Sequence, residues 1–363
     1  MRRLLSLLPS DVARVRGGGE RCAFELDKWF RTLAPELDVV AVGASSDPGA
    51  HALPHGWLNA IGRGDTPPPV ADSLSTRRVL GQLMRADLVV AHQWRTRATA
   101  ASRLIRSVRP RMRVVALDHG GASGPGTKLD RWPLPPVDVA AVQSRFEQRV
   151  TPMRGRRTEM VRGGVATDIF SPPASDERGC DFLMVARFEP HKGQLLLLDA
   201  LPDGARVRLM GPSASSHPEY RDSVLSRAAE LGVEVAVDRP DAEIVRAYQG
   251  AKFTVQVPVR PSDPRAAPPE LLGLTVLEAM ACASVPVTAD AGPGTEFVRD
   301  GETGLTYGAE SVASLAEALR RAIELDPSER RRLAAAARAE SERWSWEAAA
   351  RAILVSFGVA LRP

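Results

Sequence analysis

The stretch Glu270-Leu271-Leu272-Gly273-Leu274-Thr275-Val276-Leu277-Glu278 decides how the rest of the chain is read. Two carboxylates flank a small Gly-Leu-Thr turn, and Ala279-Met280-Ala281-Cys282-Ala283 carries it on as a buried helix. Gly273 permits a sharp backbone approach, and Thr275 is placed to cap the new helix. The first amides of that helix have no partner in a preceding turn, so they would point at a ligand and favour an anion. Acids beside an anion site suit hydroxyls next to a phosphate, as in a phosphorylated sugar or a nucleotide sugar.

Working outward, the same half of the chain alternates strands and helices. Strands are expected at Asp181–Ala186, Arg206–Met210, Val233–Val237, Lys252–Val257 and Val285–Thr288, and helices at Leu195–Leu201, Ser223–Leu231, Ala242–Tyr248, Val276–Ala283 and Val312–Leu325. Gly211 closes the second of these strands. Arg187 leaves the carboxyl end of the first, and Lys192-Gly193 follows five residues later, before a helix. An arginine fork and a lysine point charge at a sheet's ligand edge can neutralise a diphosphate, although two surface cations would look the same.

Before this half, Ser171-Pro172-Pro173-Ala174-Ser175-Asp176-Glu177-Arg178-Gly179 reads as a linker. The first half repeats the alternation. Leu4–Leu8 is an expected strand, Ser10–Glu20 a loop ending in Gly17-Gly18-Gly19-Glu20, and Cys22, Leu26, Trp29, Phe30 and Leu33 share a helix face. Strands follow at Leu37–Val42, Asp87–His92, Arg113–Leu117, Val137–Val142 and Met160–Val165, with helices at Leu74–Met84 and Ala98–Ser107. A Pro/Gly-rich excursion spans Asp47–Pro69. The glycine loop lacks Walker A and full dinucleotide spacing, so alone it is equally a plain connection. His119, in Asp118-His119-Gly120-Gly121, falls where open α/β sheets place ligands, and is either a ligand contact or a ring satisfied by loop backbone.

A chain of 363 residues accommodates two such α/β domains. Cys22, Cys180 and Cys282 are far apart and show no zinc or disulfide spacing, which fits a reducing cytoplasm. The apolar run after Arg2-Arg3 is too short for a signal peptide and reads as a first strand. Residues 1–170 hold 26 basic and 16 acidic side chains, about +10, which leaves about −6 for the rest of a +4 chain. The arginines concentrate at Arg103, Arg106, Arg109, Arg111 and Arg113, and again at Arg154, Arg156, Arg157 and Arg162. An anionic membrane, an acidic acceptor and an ordinary solvated face all fit this asymmetry. Nucleic acid is not expected, since neither aromatic platforms nor a known binding motif accompanies the charge.

These residues together resemble a family. Arg187 with Lys192-Gly193, the Glu270/Glu278 pair with seven residues between, Gly292-Pro293-Gly294-Thr295-Glu296 and Asp300-Gly301-Glu302-Thr303-Gly304-Leu305 resemble the family 4 (GT4) retaining glycosyltransferases. The resemblance runs over nearly the whole chain and includes Gly17–Glu20, His119, Gly164–Phe170 and Trp344-Ser345-Trp346-Glu347. It implies an α/β GT-B fold, with two Rossmann-like doubly wound domains facing across a cleft. Residues 1–170 would bind the acceptor, with the helix of 345–363 packing back on them, and 171–344 would bind the donor.

The resemblance also implies roles. Arg187 and Lys192 would hold the donor diphosphate and stabilise it as it leaves. Glu278 would bind the ribose, although Thr275-x-x-Glu278 is also a capping-box pattern. Glu270 would hold the transferred sugar, His119 would touch it, and Gly18 and Gly19 would admit the donor phosphates. Amides near Leu274 and Thr275, beside Gly273, would meet phosphate or sugar oxygens. No Asp-x-Asp occurs, so no metal or other cofactor is expected beyond the nucleoside-diphosphate sugar itself. The expectation is a cytoplasmic hexosyltransferase, metal-independent and retaining, using a UDP- or GDP-sugar. A pseudo-glycosyltransferase or a non-catalytic sugar-nucleotide-binding protein would share most of these residues. The family pattern departs at Val259–Pro269, which is longer than the usual connection, and in the short first domain.

Overall fold

The computed structural model describes residues 1–7, 18–44, 71–74, 76–92, 97–118, 135–150, 155–260 and 270–361. They form two compact units, one of 1–164 with 346–363 and the other of 165–345. In the first unit the order is β1 (Arg3–Leu7), α1 (Gly18–Leu33), β2 (Asp38–Ala44), β3 (Ala71–Leu74), α2 (Thr76–Leu83), β4 (Leu88–Ala91), α3 (Arg97–Val108), β5 (Arg113–Ala116), β6 (Val137–Val142), α4 (Arg145–Val150) and β7 (Gly155–Met160). The second contains β8 (Cys180–Val185), α5 (Gln194–Asp199), β9 (Val207–Gly211), α6 (Pro218–Glu230), β10 (Glu234–Val237), α7 (Asp241–Gly250), β11 (Ala251–Gln256), α8 (Leu274–Ala281), β12 (Val285–Ala289), β13 (Leu305–Tyr307), α9 (Val312–Glu324) and α10 (Pro327–Ser341). The last helix, α11 (Trp346–Ser356), returns to the first unit and packs along α1.

Both sheets are parallel and doubly wound. The strand orders are β3-β2-β1-β4-β5-β6-β7 and β10-β9-β8-β11-β12-β13 among the described residues. Such sheets are covered on both faces, so their strands are continuous apolar runs: every residue of β4, β6 and β12 is buried. Leu5, Val42, Val89, Val114 and Val137 fill one face of the first sheet. In the second unit, Phe182, Leu209, Phe253 and Val287 build one core layer, and Tyr248, Leu277, Met280 and Trp344 build the other.

Several expectations are corrected. The linker placed at Ser171–Gly179 lies inside the second unit, whose chain begins at Val165. Val165 and Phe170 are buried in the layer with Leu277 and Trp344, and the Val165 amide donates to the Trp344 carbonyl at 2.9 Å. Arg178 anchors the segment. Its side chain is only 4% exposed, and it donates to the carbonyls of Gln249 (2.6 Å), Ala251 (3.3 Å) and Ala283 (3.2 Å). Asp176 in turn receives Arg330 at 2.6 Å. A Pro/Ser composition looks like a spacer, but these two charged groups strap it down.

The last strand of the first unit is Gly155–Met160 rather than Met160–Val165. It lies at the sheet's edge, where charged side chains such as Arg157 and Glu159 can stand in solvent and hide the strand pattern. Gly18 and Gly19 open α1 and are not in a loop. The Arg103–Arg113 cluster is not an open face either. Arg103 and Arg106 are buried and donate to the Pro135 and Pro136 carbonyls, while Arg109 donates to those of Met84 and Ala86. No helix among the described residues is long and apolar enough to cross a membrane. The excursion at Asp47–Pro69 lies outside the described residues.

If Arg178 fixes the 171–179 strap, Arg178→Met leaves three interior carbonyls without their donor. The chain should then lose about 3 kcal/mol of stability, seen as a lower urea midpoint at unchanged slope. Arg178→Lys should recover only part of it, because one ammonium cannot span three carbonyls.

Candidate functional site

The carboxyl ends of β8, β11 and β12 meet at one edge of the second unit, where a doubly wound sheet offers its ligand position. Leaving β8, the chain places Arg187 in solvent, and the Arg187 carbonyl accepts from the Glu189 amide (2.9 Å) and Gln194 Nε2 (2.7 Å). A 3-10 turn over Pro190–Lys192 ends at Gly193 with φ 69°, and a Cβ there would press into the Val257 carbonyl oxygen. The Val259 amide closes the contact by donating to the His191 carbonyl at 3.0 Å. The cation-bearing loop therefore lies directly against the segment that leaves β11.

Across from it, Glu270 ties three pieces together. Its Oε2 takes Lys192 Nζ at 3.0 Å and Gln256 Nε2 at 3.4 Å, and its Oε1 takes the Gly273 amide at 3.2 Å. Gln256 is held in turn by Thr288 Oγ1, which donates to its Oε1 at 3.2 Å. Lys192 and Glu270 are 19% and 21% exposed, so the pair is sheltered yet reachable by a ligand. Burial alone would push the Glu270 carboxyl up. Lys192, the Gly273 amide and His191 outweigh that and hold it below its ordinary range.

The helix start differs from the expectation. Gly273, with φ 91°, is the N-cap of α8, and no side chain caps it. Leu274 and Thr275 are the first two helical residues, and the Val276 and Leu277 amides return to the Gly273 carbonyl. Thr275 is thus inside the helix instead of capping it, and the expected Thr275/Glu278 box does not form because Glu278 sits two positions too far along. Glu278 is buried and accepts from the Tyr248 hydroxyl at 3.3 Å. The Leu274 and Thr275 amides at the start of α8 have no earlier helical turn to take them, and the Gly273 amide just before them already meets Glu270.

The structure therefore brings Lys192, Glu270, Gly273, Leu274 and Thr275 together. Arg187 stands on the same loop, Gly211 ends the neighbouring β9, and Glu278 lies one turn into α8. Gly18 and Gly19 belong to the first unit, and His119 lies outside the described residues. Among the described residues no three His, Cys, Asp or Glu side chains gather as a metal site.

One group escaped the sequence reading. Glu189 is buried and clamps the loop after β9: it accepts from the Ser216 amide (2.7 Å) and faces His217 Nδ1 (2.6 Å), while Ser215 Oγ donates to the Phe188 carbonyl (2.6 Å). Burial opposes the charge on Glu189, and the Ser216 amide, His217 and Arg187 overcome it, so the carboxyl lies below its ordinary range. An acid among Arg187, His191 and Lys192 was the available signal.

These two doubly wound units, with a cationic loop and an acid at the ligand edge of the second, define the GT-B class. Anabaena Alr3699/HepE in complex with UDP-glucose has the same fold, with a TM-score of 0.75 at 18% identity, covering 99% of this chain and 100% of that one. The apo lipopolysaccharide outer core galactosyltransferase WaaB matches with a TM-score of 0.66 at 14% identity, covering 98% of each chain. Residues 166–340 match the family model described as glycosyl transferases group 1. D-inositol 3-phosphate glycosyltransferase of Frankia alni is 32% identical over 230 residues, 57% of this chain and 54% of the relative. That of Streptomyces bingchenggensis is 28% identical over 320 residues, 84% and 59%. Residues 166–340 are thus similar to the group 1 glycosyl transferases, and the curated relatives that match are glycosyltransferases. It spans somewhat over half the length of the curated relatives it matches.

His191 offers a direct test of the site's electrostatics. Burial first, then Lys192 and Arg187, lower its imidazole from the ordinary 6.5 to about 4. The fold prefers the neutral ring, so its contribution to stability is complete above about pH 6.5 and is lost as pH falls through about 4. NMR titration should give a midpoint near 4, rising toward 6.5 in Lys192→Met. A wild-type midpoint near 6.5 would mean that the ring is not buried beside those cations.

Proposed function

We propose that the protein transfers a hexose-type sugar from a nucleoside-diphosphate sugar to an acceptor, with retention of configuration and without a metal. The observation that carries this reading is the junction of Lys192, Glu270 and the first amides of α8 at one sheet edge. A cation and a helix N-terminus together suit a diphosphate, and a carboxylate beside them suits sugar hydroxyls. The occurrence of UDP-glucose in the complex of Anabaena HepE supports a UDP-sugar as donor, with a GDP-sugar as the alternative.

In the proposed reaction the bond from the anomeric carbon to the β-phosphate oxygen breaks, and its electron pair leaves with the diphosphate. Lys192 and Arg187 stabilise that growing charge, taking the part that a metal plays elsewhere. The acceptor oxygen bonds to the anomeric carbon on the same face, and its proton passes to the departing phosphate. Glu270 positions the sugar and Glu278 the ribose; neither serves as the nucleophile of a two-carboxylate glycosidase. His119, Gly18 and Gly19 are assigned to the donor's sugar and phosphates. The first unit takes the acceptor, a glycolipid, polysaccharide precursor or natural product, and an acceptor held in an anionic membrane would draw on its arginines.

Lys192→Ala and Arg187→Ala should each lower UDP-sugar turnover by at least about a hundredfold while the circular dichroism spectrum is unchanged. Glu270→Ala should reduce turnover more than equilibrium binding of UDP. The measurements are release of UDP from UDP-glucose or UDP-galactose and calorimetric titration with UDP. Unaltered turnover in either cation variant would remove the diphosphate role. Tight UDP binding by wild type with no sugar release from any donor would point instead to a binding protein.

A further inference from the structure

The first unit has a second polar concavity, at the edge opposite the carboxyl ends of its strands. Arg106, Pro110, Arg113, Pro135, Asp138 and Arg157 line a cavity of about 580 Å³. Their places in the fold set its location: Arg106 is in the last turn of α3, Arg113 is the first residue of β5, Asp138 the second of β6, and Arg157 lies on β7, paired with Val139 of β6. All of them belong to the first unit.

The charges facing this cavity do not balance. Asp138 is its one buried carboxylate among the described lining residues, and both its oxygens are committed. Oδ1 takes Arg106 Nη2 at 2.8 Å and lies 3.5 Å from Arg113 Nε, while Oδ2 takes the Val114 amide at 2.8 Å. One negative charge is therefore shared between two guanidinium groups. Arg157 adds a third, which meets Glu159 at 3.0 Å with both side chains about half exposed, a pairing that solvent largely screens.

The arginines are held from behind by the fold. Arg106 is 8% exposed and gives Nη1 to the Pro136 carbonyl and Nη2 to Asp138, yet its Nε–H is buried without a partner. Arg113 gives Nη2 to the Ser356 carbonyl at 3.4 Å, and its Nε faces Asp138 Oδ1 at 3.5 Å. A buried guanidinium N–H with no acceptor carries the full cost of its desolvation unless something supplies one. Surplus positive charge around a partly open concavity calls for a compact anion rich in acceptor oxygens.

We propose that this cavity is an anion subsite of the first unit that takes a phosphoryl group. A tetrahedral phosphate presents several acceptors to forked donors at once, and planar guanidinium groups pair with it two bonds at a time. The volume exceeds that of a lone phosphate, so the phosphoryl group is carried on a larger body: a soluble phosphorylated compound or the headgroup of an anionic phospholipid. The subsite is independent of the donor reading, because none of its residues belongs to the second unit.

The test is calorimetric titration of the full chain with inorganic pyrophosphate in an Arg187→Ala/Lys192→Ala background, which removes both cations proposed for the donor diphosphate. One equivalent should still bind, and more weakly as salt rises. Arg157→Glu, at a half-exposed position that leaves the buried contacts in place, should weaken binding by at least about tenfold, and Arg113→Gln should do the same. Loss of all pyrophosphate binding in the Arg187→Ala/Lys192→Ala background, or equal affinity with and without Arg157→Glu, would overturn the proposal. Sedimentation with phosphatidylcholine vesicles, with or without phosphatidic acid, separates the sources. Retention on phosphatidic acid that pyrophosphate displaces identifies a lipid headgroup, and pyrophosphate binding without retention identifies a soluble phosphoryl compound.

Discussion

The candidate site depends on one carboxylate that answers to three parts of the chain. Glu270 holds Lys192 from the loop after β8, Gln256 from the end of β11 and the amide of Gly273 at the start of α8. Its position is not free to drift, because six of the eight residues of α8 are buried and Gly273 must hold its left-handed turn. A shift of the helix start would disturb the layer formed by Val276, Leu277 and Met280. The amides and the lysine are thereby set in place by the core before any ligand arrives, which is what electrostatic stabilisation of a leaving group requires.

The surrounding groups keep that charge from being cancelled. His191 stands between Arg187 and Lys192 in sequence, and its lowered pKa keeps it neutral near pH 7, so it adds bulk and no third cation. Glu189 is the nearest acid in sequence, and it is spent on the Ser216 amide and on His217, which fastens the loop after β9 to the cationic loop. One acid on this edge thus fixes the backbone and the other meets the lysine. Arg187 is exposed, and its carbonyl is engaged in the cationic loop.

How far the chain could be read depended on whether a pattern was sufficient by itself. Buried parallel strands such as Leu88-Val89-Val90-Ala91 were legible because an apolar run between breakers has few other uses. Edge strand β7 was not, since its charged residues point to water and leave no period. Capping patterns were ambiguous for a different reason. Ser144-Arg145-Phe146-Glu147 does cap its helix, with Ser144 Oγ accepting from the Glu147 amide at 2.9 Å and Glu147 Oε2 reaching one residue before the cap to the Gln143 amide at 2.6 Å. Thr275-Val276-Leu277-Glu278 has the same form and does not, because Gly273 starts its helix two residues earlier. Lys192 and Glu270 stand out in the sequence and meet at one sheet edge, but the sequence holds no sign of the Gln256 and Thr288 supports, which arise only when β11 and β12 lie side by side.

The uneven charge of the chain has a similar lesson. A count of about +10 over residues 1–170 treats every arginine as a free cation, yet Arg103, Arg106 and Arg109 each give donors to backbone carbonyls around the amino edge of the first sheet. Those carbonyls end turns and precede strands, where no ladder partner is available, and a long forked donor can reach them from a neighbouring helix. Part of the arginine content is therefore spent on closing the fold. Each guanidinium so used still brings its full charge into that edge, where Asp138 meets Arg106 and Arg113 together and Asp87 stands 3.7 Å from Arg109. A fold that satisfies its carbonyls with arginine rather than with neutral donors builds up positive potential there as a by-product, and a surface made for structure becomes one on which an anion is at home.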